Sequence, residues 1–214
     1  MIEVFSDFDG TLTNQDTLVL LLHRFANRDW YAIEERMLSG AITELDGVRE
    51  ELGMICAPDE QLMQVIDNEI EPADGLDEFM SFVQERGWRM TVLSGGLIRF
   101  SGALWDKWGY GNVPLYANDH RRDSNGCIEV ISAVTPRIKN LCNHCKRWHL
   151  EEAIKRGSKV IYIGDGLTDF CPAEAAHRRY AKGNLLQYLH DKNLEVVEFK
   201  NLHDIVNDLS ENPI

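Results

Sequence analysis

The chain has 214 residues, and 22 Lys and Arg stand against 35 Asp and Glu for a formal net charge of −13. At roughly 100 to 200 residues per domain, this length carries one core with a smaller inserted module and excludes two large independent domains. The 8 Phe, 5 Trp and 6 Tyr exclude a disordered chain, and the negative field excludes nucleic-acid backbones as the expected partner, so an anionic substrate needs a local cation.

The first element expected is a buried strand over Ile2 to Ser6, which delivers the chain into Asp7-Phe8-Asp9-Gly10-Thr11. This opening has neither the basic nor the apolar region of a secretory leader, and the cytoplasm is the expected setting. Four amphipathic segments follow, near Asp16 to Phe25, Trp30 to Leu38, Thr43 to Gly53 and Pro58 to Asn68, with no strand among them. They read as a helical insert over residues 15–71, placed directly after the first strand's loop and so overhanging the carboxyl edge of a sheet. Its Leu18 to Leu22 run is the longest aliphatic stretch, far short of the roughly 20 residues of a membrane span, and no membrane association is expected. Met37, Met54 and Met63 in the insert, and Met80 after it, occupy helical faces as core.

Gly75 to Arg86 reads as a helix with Leu76, Phe79, Met80 and Val83 on one face, leading into a strand at Arg89 to Leu93 that ends in Ser94-Gly95-Gly96. Trp105, Trp108 and Tyr110 pack the helix after that turn. Val113 to Ala117 reads as a short strand, and Asn125-Gly126 as a hairpin turn. A helix at Trp148 to Lys155 leads through Gly157 into a strand at Lys159 to Ile163, which ends in Gly164-Asp165-Gly166. Leu185 to His190 then leads to a last strand at Leu194 to Phe199. Strands alternating with helices imply an α/β fold: a doubly wound parallel sheet of modified Rossmann type, built from residues 1–14 and 72–214, with ligands at the carboxyl ends of the strands.

Asp7 and Asp9 put two carboxylates at the mouth of that sheet, where neither can be buried unpaired without severe cost. A divalent cation is their natural partner, and Asp165 and Asp169 supply further acids for an Mg²⁺ ion, which prefers carboxylates, a backbone carbonyl and water. A carboxylate can also attack a phosphoryl group held in line, which suits Asp7. Asp9 is then placed to protonate the leaving oxygen and later to deprotonate water. Ser94, with the amides of Gly95 and Gly96, offers donors for phosphate oxygens. Among Arg137, Lys139, Lys146 and Arg147, Lys146 is the preferred phosphate-binding cation, because it stands just before the helix that leads into the strand ending in Gly164-Asp165-Gly166. The plainer readings are solvated loop acids, an ordinary Ser-Gly-Gly turn and a solvated lysine.

In this order DFDGT at Asp7 to Thr11, LSGG at Leu93 to Gly96, Lys146, and GDGLTD at Gly164 to Asp169 resemble the four motifs of the haloacid dehalogenase superfamily of Mg²⁺-dependent phosphatases. The resemblance implies that Asp7 is the nucleophile, Asp9 the acid/base, Ser94 and Lys146 the phosphate binders, and Asp165 and Asp169 metal ligands. The helical cap, the Ser-Gly-Gly motif and Ala181 to Leu185 resemble the phosphoserine-phosphatase-like branch. Within it the pattern is similar to the methionine-salvage phosphatases of a methylthio-ketopentenyl phosphate, which also carry Cys residues just before the Lys. Phosphoserine, phosphocholine and phosphoethanolamine are the alternative substrates the branch implies. Phosphoserine phosphatases carry Glu at the position of Asp16, so Asp16 is a candidate specificity residue, and Arg49 in the insert is a second.

A receiver-type signalling domain also gathers aspartates, Mg²⁺ and a Lys on such a sheet, but it lacks both the insert and the acid at position 9. A dinucleotide fold needs glycine where Asp169 stands, and no GxxxxGK[ST] occurs. Cys142-x-x-Cys145, with His144 or His149, is a weak zinc signal. The 5 Cys, an odd number without secretory context, read as reduced thiols, Cys56, Cys127 and Cys171 included. The expected partner is a small phosphorylated metabolite, and the sequence sets no oligomeric state.

Overall fold

In the computed structural model, which describes residues 1–133, 136 and 143–214, the opening strand β1 (Ile2–Ser6) lies at the centre of a sheet. It is parallel to β2 (Arg89–Leu97) on one side and to β5 (Lys159–Gly164) on the other. Beyond these lie β3 (Leu115–Arg122) and β4 (Ile128–Ile131) at one edge, and β6 (Arg178–Ala181) and β7 (Val197–Glu198) at the other. Among the described residues the order is β4-β3-β2-β1-β5-β6-β7. Successive residues alternate between faces. Val4, Val92 and Ile161 pack on one side, with α5 (Leu76–Glu85), α6 (Ile98–Lys107) and α10 (Leu202–Glu211), while Phe5, Leu93 and Val160 pack on the other. That second face meets α7 (Lys146–Lys155), α8 (Phe170–Ala175) and α9 (Gly183–Asp191). A strand covered on both faces is largely apolar, and the buried acid of β1, Glu3, is satisfied by Ser158 Oγ (2.6 Å) and Arg156 (3.1 Å). The strand order reverses between β1 and β5, and the crevice above a reversal is where such folds bind ligands.

The insert is helical as expected: α1 (Thr17–Phe25), α2 (Tyr31–Leu38), α3 (Glu44–Leu52) and α4 (Asp59–Glu69). Asp16 caps α1 by accepting from the Val19 amide at 2.9 Å, and Thr43 caps α3 by accepting from the Asp46 amide at 3.1 Å. The two ends of the insert meet where the Asn14 amide donates to the Glu71 carbonyl at 2.9 Å. Leu20, Leu21, Ile33, Leu52, Leu62 and Ile66 turn inward and are buried. None of the described helices is long and apolar enough to cross a membrane.

Several boundaries differ from expectation for local reasons. β2 continues through Ser94-Gly95-Gly96 to Leu97, with an irregular register against β3 that two glycines permit. β3 begins two residues later than Val113, after Pro114, which has no N–H to donate. It then runs to Arg122, where Asp123 accepts the amides of Asn125 and Cys127 (2.8 and 2.9 Å) and closes the expected turn at Asn125-Gly126. The strand expected over Leu194 to Phe199 shrinks to Val197–Glu198, because the Leu194 amide instead closes the end of α9 on the Leu189 carbonyl (3.0 Å).

The expectation that every thiol is reduced is corrected. Cys56 and Cys127 form a disulfide between the insert and the β3–β4 hairpin, 71 residues apart in sequence. The backbone brings them together, since the Ile128 amide donates to the Ile55 carbonyl at 3.0 Å. Cys145 and Cys171 stand outside this bond, and Cys142 lies outside the described residues.

Candidate active site

The polar loops after β1 and β5 and the Ser94-Gly95-Gly96 segment near the end of β2 converge above the sheet. The Asp7 amide donates to the Ile163 carbonyl at 2.9 Å, which carries the β1–β5 pairing one residue further and fixes Asp7 at the edge. Gly10 has φ 74°, and a Cβ there would sit 2.5 Å from Asp165 Oδ2, so glycine lets the two acidic loops touch. The same closeness holds at Gly164, where a Cβ would sit 2.5 Å from Asp169 Oδ2. Asp7, Asp165 and Asp169 thereby each offer a carboxylate oxygen, all within 4.8 Å of one another.

Burial pushes the Asp7 carboxyl well above the usual range, with Asp169 adding to the effect and Lys146 opposing it. Asp165 is pushed up to about 7, first by burial and then by Asp169. Such crowding marks a site in want of positive charge. An all-carboxylate donor set fits a hard divalent cation and not a soft one. Asp169 is more committed than its neighbours. Its Oδ1 accepts from Lys146 Nζ (2.7 Å) and Tyr162 Oη (2.6 Å), and its Oδ2 accepts from the amides of Asp165 (3.0 Å) and Gly166 (3.1 Å).

Lys146 is the first residue of α7, and its Nζ donates to Asp7 Oδ1, to Asp169 and to Thr168 Oγ1 (3.0 Å). Burial acts to discharge it, but the Asp169 and Asp7 carboxylates outweigh burial and raise its pKa. The sequence preference for Lys146 over its neighbours thus meets the acids directly. Arg147 turns away to Glu151 (2.7 Å) and Glu174 (3.2 Å), and Arg137 and Lys139 lie outside the described residues.

Asp9 departs from expectation. Its carboxylate is not in the metal-type trio but accepts from Ser94 Oγ (3.0 Å) and from the Thr17 amide (3.3 Å). Burial and then Asp16 push it up to about 7, against the Ser94 hydrogen bond. Ser94 Oγ also accepts the Gly96 amide at 2.9 Å, and a Cβ on residue 96 would sit 3.0 Å from Asp9 Oδ2. Two residues for which the sequence indicates no part in phosphate binding hold this turn. Asn118 donates to the Gly95 carbonyl at 2.7 Å, and His144 Nδ1 donates to the Ser94 carbonyl at 2.9 Å. His144 Nε2 then accepts from His149 Nε2 at 3.0 Å, so these histidines brace β2 against α7. Thr11, inside the DFDGT motif, donates to Asp165 at 3.1 Å and so ties the first acidic loop to the last.

Asp7, Asp9 and Asp165 form the floor of a cavity of about 340 Å³ roofed by α1, α2 and α3 of the insert. Asp16 lines it. Arg49 does not: it is exposed on α3 and donates to Ser132 Oγ at 3.2 Å, because the apolar stripe of α3 points its neighbours Val48 and Leu52 inward. Met37, expected as core, also lines the cavity, as do Leu18 and Leu22. The described residues place no Cys in a metal-type group.

The sequence model of the haloacid dehalogenase-like hydrolases matches residues 4–174. A protein of Brevibacillus brevis named 2-hydroxy-3-keto-5-methylthiopentenyl-1-phosphate phosphatase is 28% identical over 209 residues, covering 95% of this chain and 92% of its own. One of the same name from an Exiguobacterium species is 27% identical over 207 residues, covering 94% of each chain. Among solved structures, a phosphoserine phosphatase carrying an analogue of the phospho-aspartyl intermediate superposes with a TM-score of 0.75 at 22% identity, over 96% of this chain and 97% of its own. A substrate-bound phosphoserine phosphatase superposes with a TM-score of 0.73 at 21% identity, over 96% of each chain. These two likenesses establish the fold.

Proposed function

Since the chain belongs to the haloacid dehalogenase-like hydrolase family, we propose that it is an Mg²⁺-dependent phosphomonoesterase working through an aspartyl-phosphate on Asp7. The observation that carries this reading is the meeting of Asp7, Lys146 and Asp165 beneath the cavity roofed by the insert. A carboxylate oxygen of Asp7 attacks phosphorus as the bond to the leaving oxygen breaks, and Asp9 gives that oxygen its proton. Asp9, now a carboxylate, takes a proton from water, whose oxygen attacks phosphorus and releases Asp7 and inorganic phosphate. A pKa pushed up to about 7 suits a group that must both give and take a proton. Ser94 and Lys146 hold the phosphoryl oxygens, and Asp169, through its hydrogen bond to Lys146, orients the ammonium. Mg²⁺, held by Asp7 and Asp165 beside Asp169, would neutralise phosphoryl charge.

Residues 15–71 act as the cap that closes over a small phosphorylated metabolite. The names of the curated relatives make the methylthio-ketopentenyl phosphate the first substrate to test, with phosphoserine, phosphocholine and phosphoethanolamine as alternatives. A cytoplasmic setting belongs to the same proposal. It is checked by the thiol state of Cys56 and Cys127 in cells, which a reducing compartment would keep reduced. The experiment on function is phosphate release with Mg²⁺ across that panel. Continuous release that Asp7→Asn abolishes is expected, whereas a phospho-form that persists without release would favour a receiver.

A further inference from the structure

The roof of the cavity carries acidic side chains that phosphoryl transfer does not use. Asp16, Glu34, Glu44 and Glu51 all line it, and no Lys, Arg or His does so among the described residues. Glu51, on the inner face of α3, is only 3% exposed, and its buried Oε1 has no hydrogen-bond partner. Burial, with Glu34 and Asp16 adding to it, pushes this carboxyl up to about 8. A buried polar oxygen with nothing to bond costs stability, and a ligand that supplies the missing partner recovers that cost on binding. Leu22, Met37 and Val48 line the cavity as well, offering contact to a short alkyl or thioether segment.

Resting on the phosphatase reading above, we propose that Glu51 is a specificity-determining residue that selects phosphomonoesters whose far end bears a hydrogen-bond donor and no anionic charge. A hydroxyl, an enol or an ammonium group meets Glu51 Oε1. A carboxylate there would enter among four acids with no cation among the described lining residues to pair it, a penalty that sites of unpaired polar groups convert into strong discrimination.

The test uses matched substrates that differ by one carboxylate, namely phosphoethanolamine against phosphoserine and glycerol phosphate against phosphoglycerate, with Mg²⁺ and with p-nitrophenyl phosphate as a measure of the chemistry alone. The carboxylate-free member of each pair is expected to have the higher kcat/KM by about tenfold or more, a range binding discrimination reaches. Glu51→Gln should narrow that ratio chiefly through KM, with Glu34→Gln as a second variant should the first fail to fold. Turnover of p-nitrophenyl phosphate without preference within the pairs, or with preference for the carboxylated members, overturns the inference and leaves the phosphatase reading standing. No phosphate from any compound, p-nitrophenyl phosphate included, overturns both.

Discussion

Lys146→Met tests the electrostatics of the site where they are most concentrated. The lysine is 2% exposed, and its ammonium stands between the carboxylates of Asp7 and Asp169, which are 5% and 0% exposed. Methionine has similar length and bulk, so the substitution removes charge without opening a large cavity. Two buried acids are then left facing each other without their cation. Removing one partner of a buried ion pair costs about 3 to 5 kcal/mol, because the other charge stays buried and uncompensated. The assay is urea unfolding followed by circular dichroism at neutral pH, with EDTA present so that no divalent cation substitutes for the ammonium. Lys146→Met should lose about 3 to 5 kcal/mol. Adding Asp169→Asn should recover part of it, since the amide needs no countercharge, so the two substitutions should be strongly non-additive. A loss below about 1 kcal/mol, the scale of an exposed pair, would refute the reasoning, as would simple additivity.

Removing the Cys56–Cys127 bond by Cys56→Ser should lower stability by up to about 4 kcal/mol, the chain-entropy value for a bridge spanning 71 residues, and a thermal midpoint indifferent to reductant would contradict it. Burial holds His144 down to about 3 and His149 down to about 4, against about 6.5 in an unfolded chain. The unfolded state therefore binds protons first as pH falls. The stability these neutral histidines allow is fully present above about 6.5 and is lost progressively toward 4 and 3, by at most about 2 kcal/mol per group at pH 5. Unfolding free energies at pH 7 and pH 5 check this, since His149→Asn should lose less between them than the parent protein, and an equal loss counts against it. Asp9→Asn should slow both the formation and the breakdown of the phosphoenzyme, read by rapid-quench kinetics, and a parental rate would remove its acid/base role.

The parts of the site legible in the sequence are those that local backbone carries. Asp7 and Asp165 sit just beyond strand ends and Ser94 where the apolar run of β2 gives way to glycine, so a hydrophobic run followed by polar residues and glycine locates them without knowledge of the pairing. Lys146 was readable from its place at the start of a helix. What the sequence hid depends on contacts between distant segments. The turn of the Asp9 side chain toward Ser94 requires the placement of β2 against β1, and the pairing of Cys56 with Cys127 requires the hairpin to lie on the insert. Periodicity makes α3 amphipathic, yet it assigned neither Arg49 to the outer face nor Glu51 to the cavity, because a helix of nine residues has little apolar pattern to orient it. Asn118 carries no pattern at all and His144 only the weak metal spacing beside Cys145, since each acts on a backbone carbonyl of β2 from another element.

Phosphoryl transfer to Asp7 is most directly tested by acid quench of the Mg²⁺-loaded Asp9→Asn enzyme mixed with a substrate that the parent protein hydrolyses, followed by peptide mass spectrometry. The account predicts a phosphoryl group on the peptide that contains Asp7, absent when Asp7 is replaced by Asn. An unmodified Asp7 at every quench time while phosphate accumulates would contradict it.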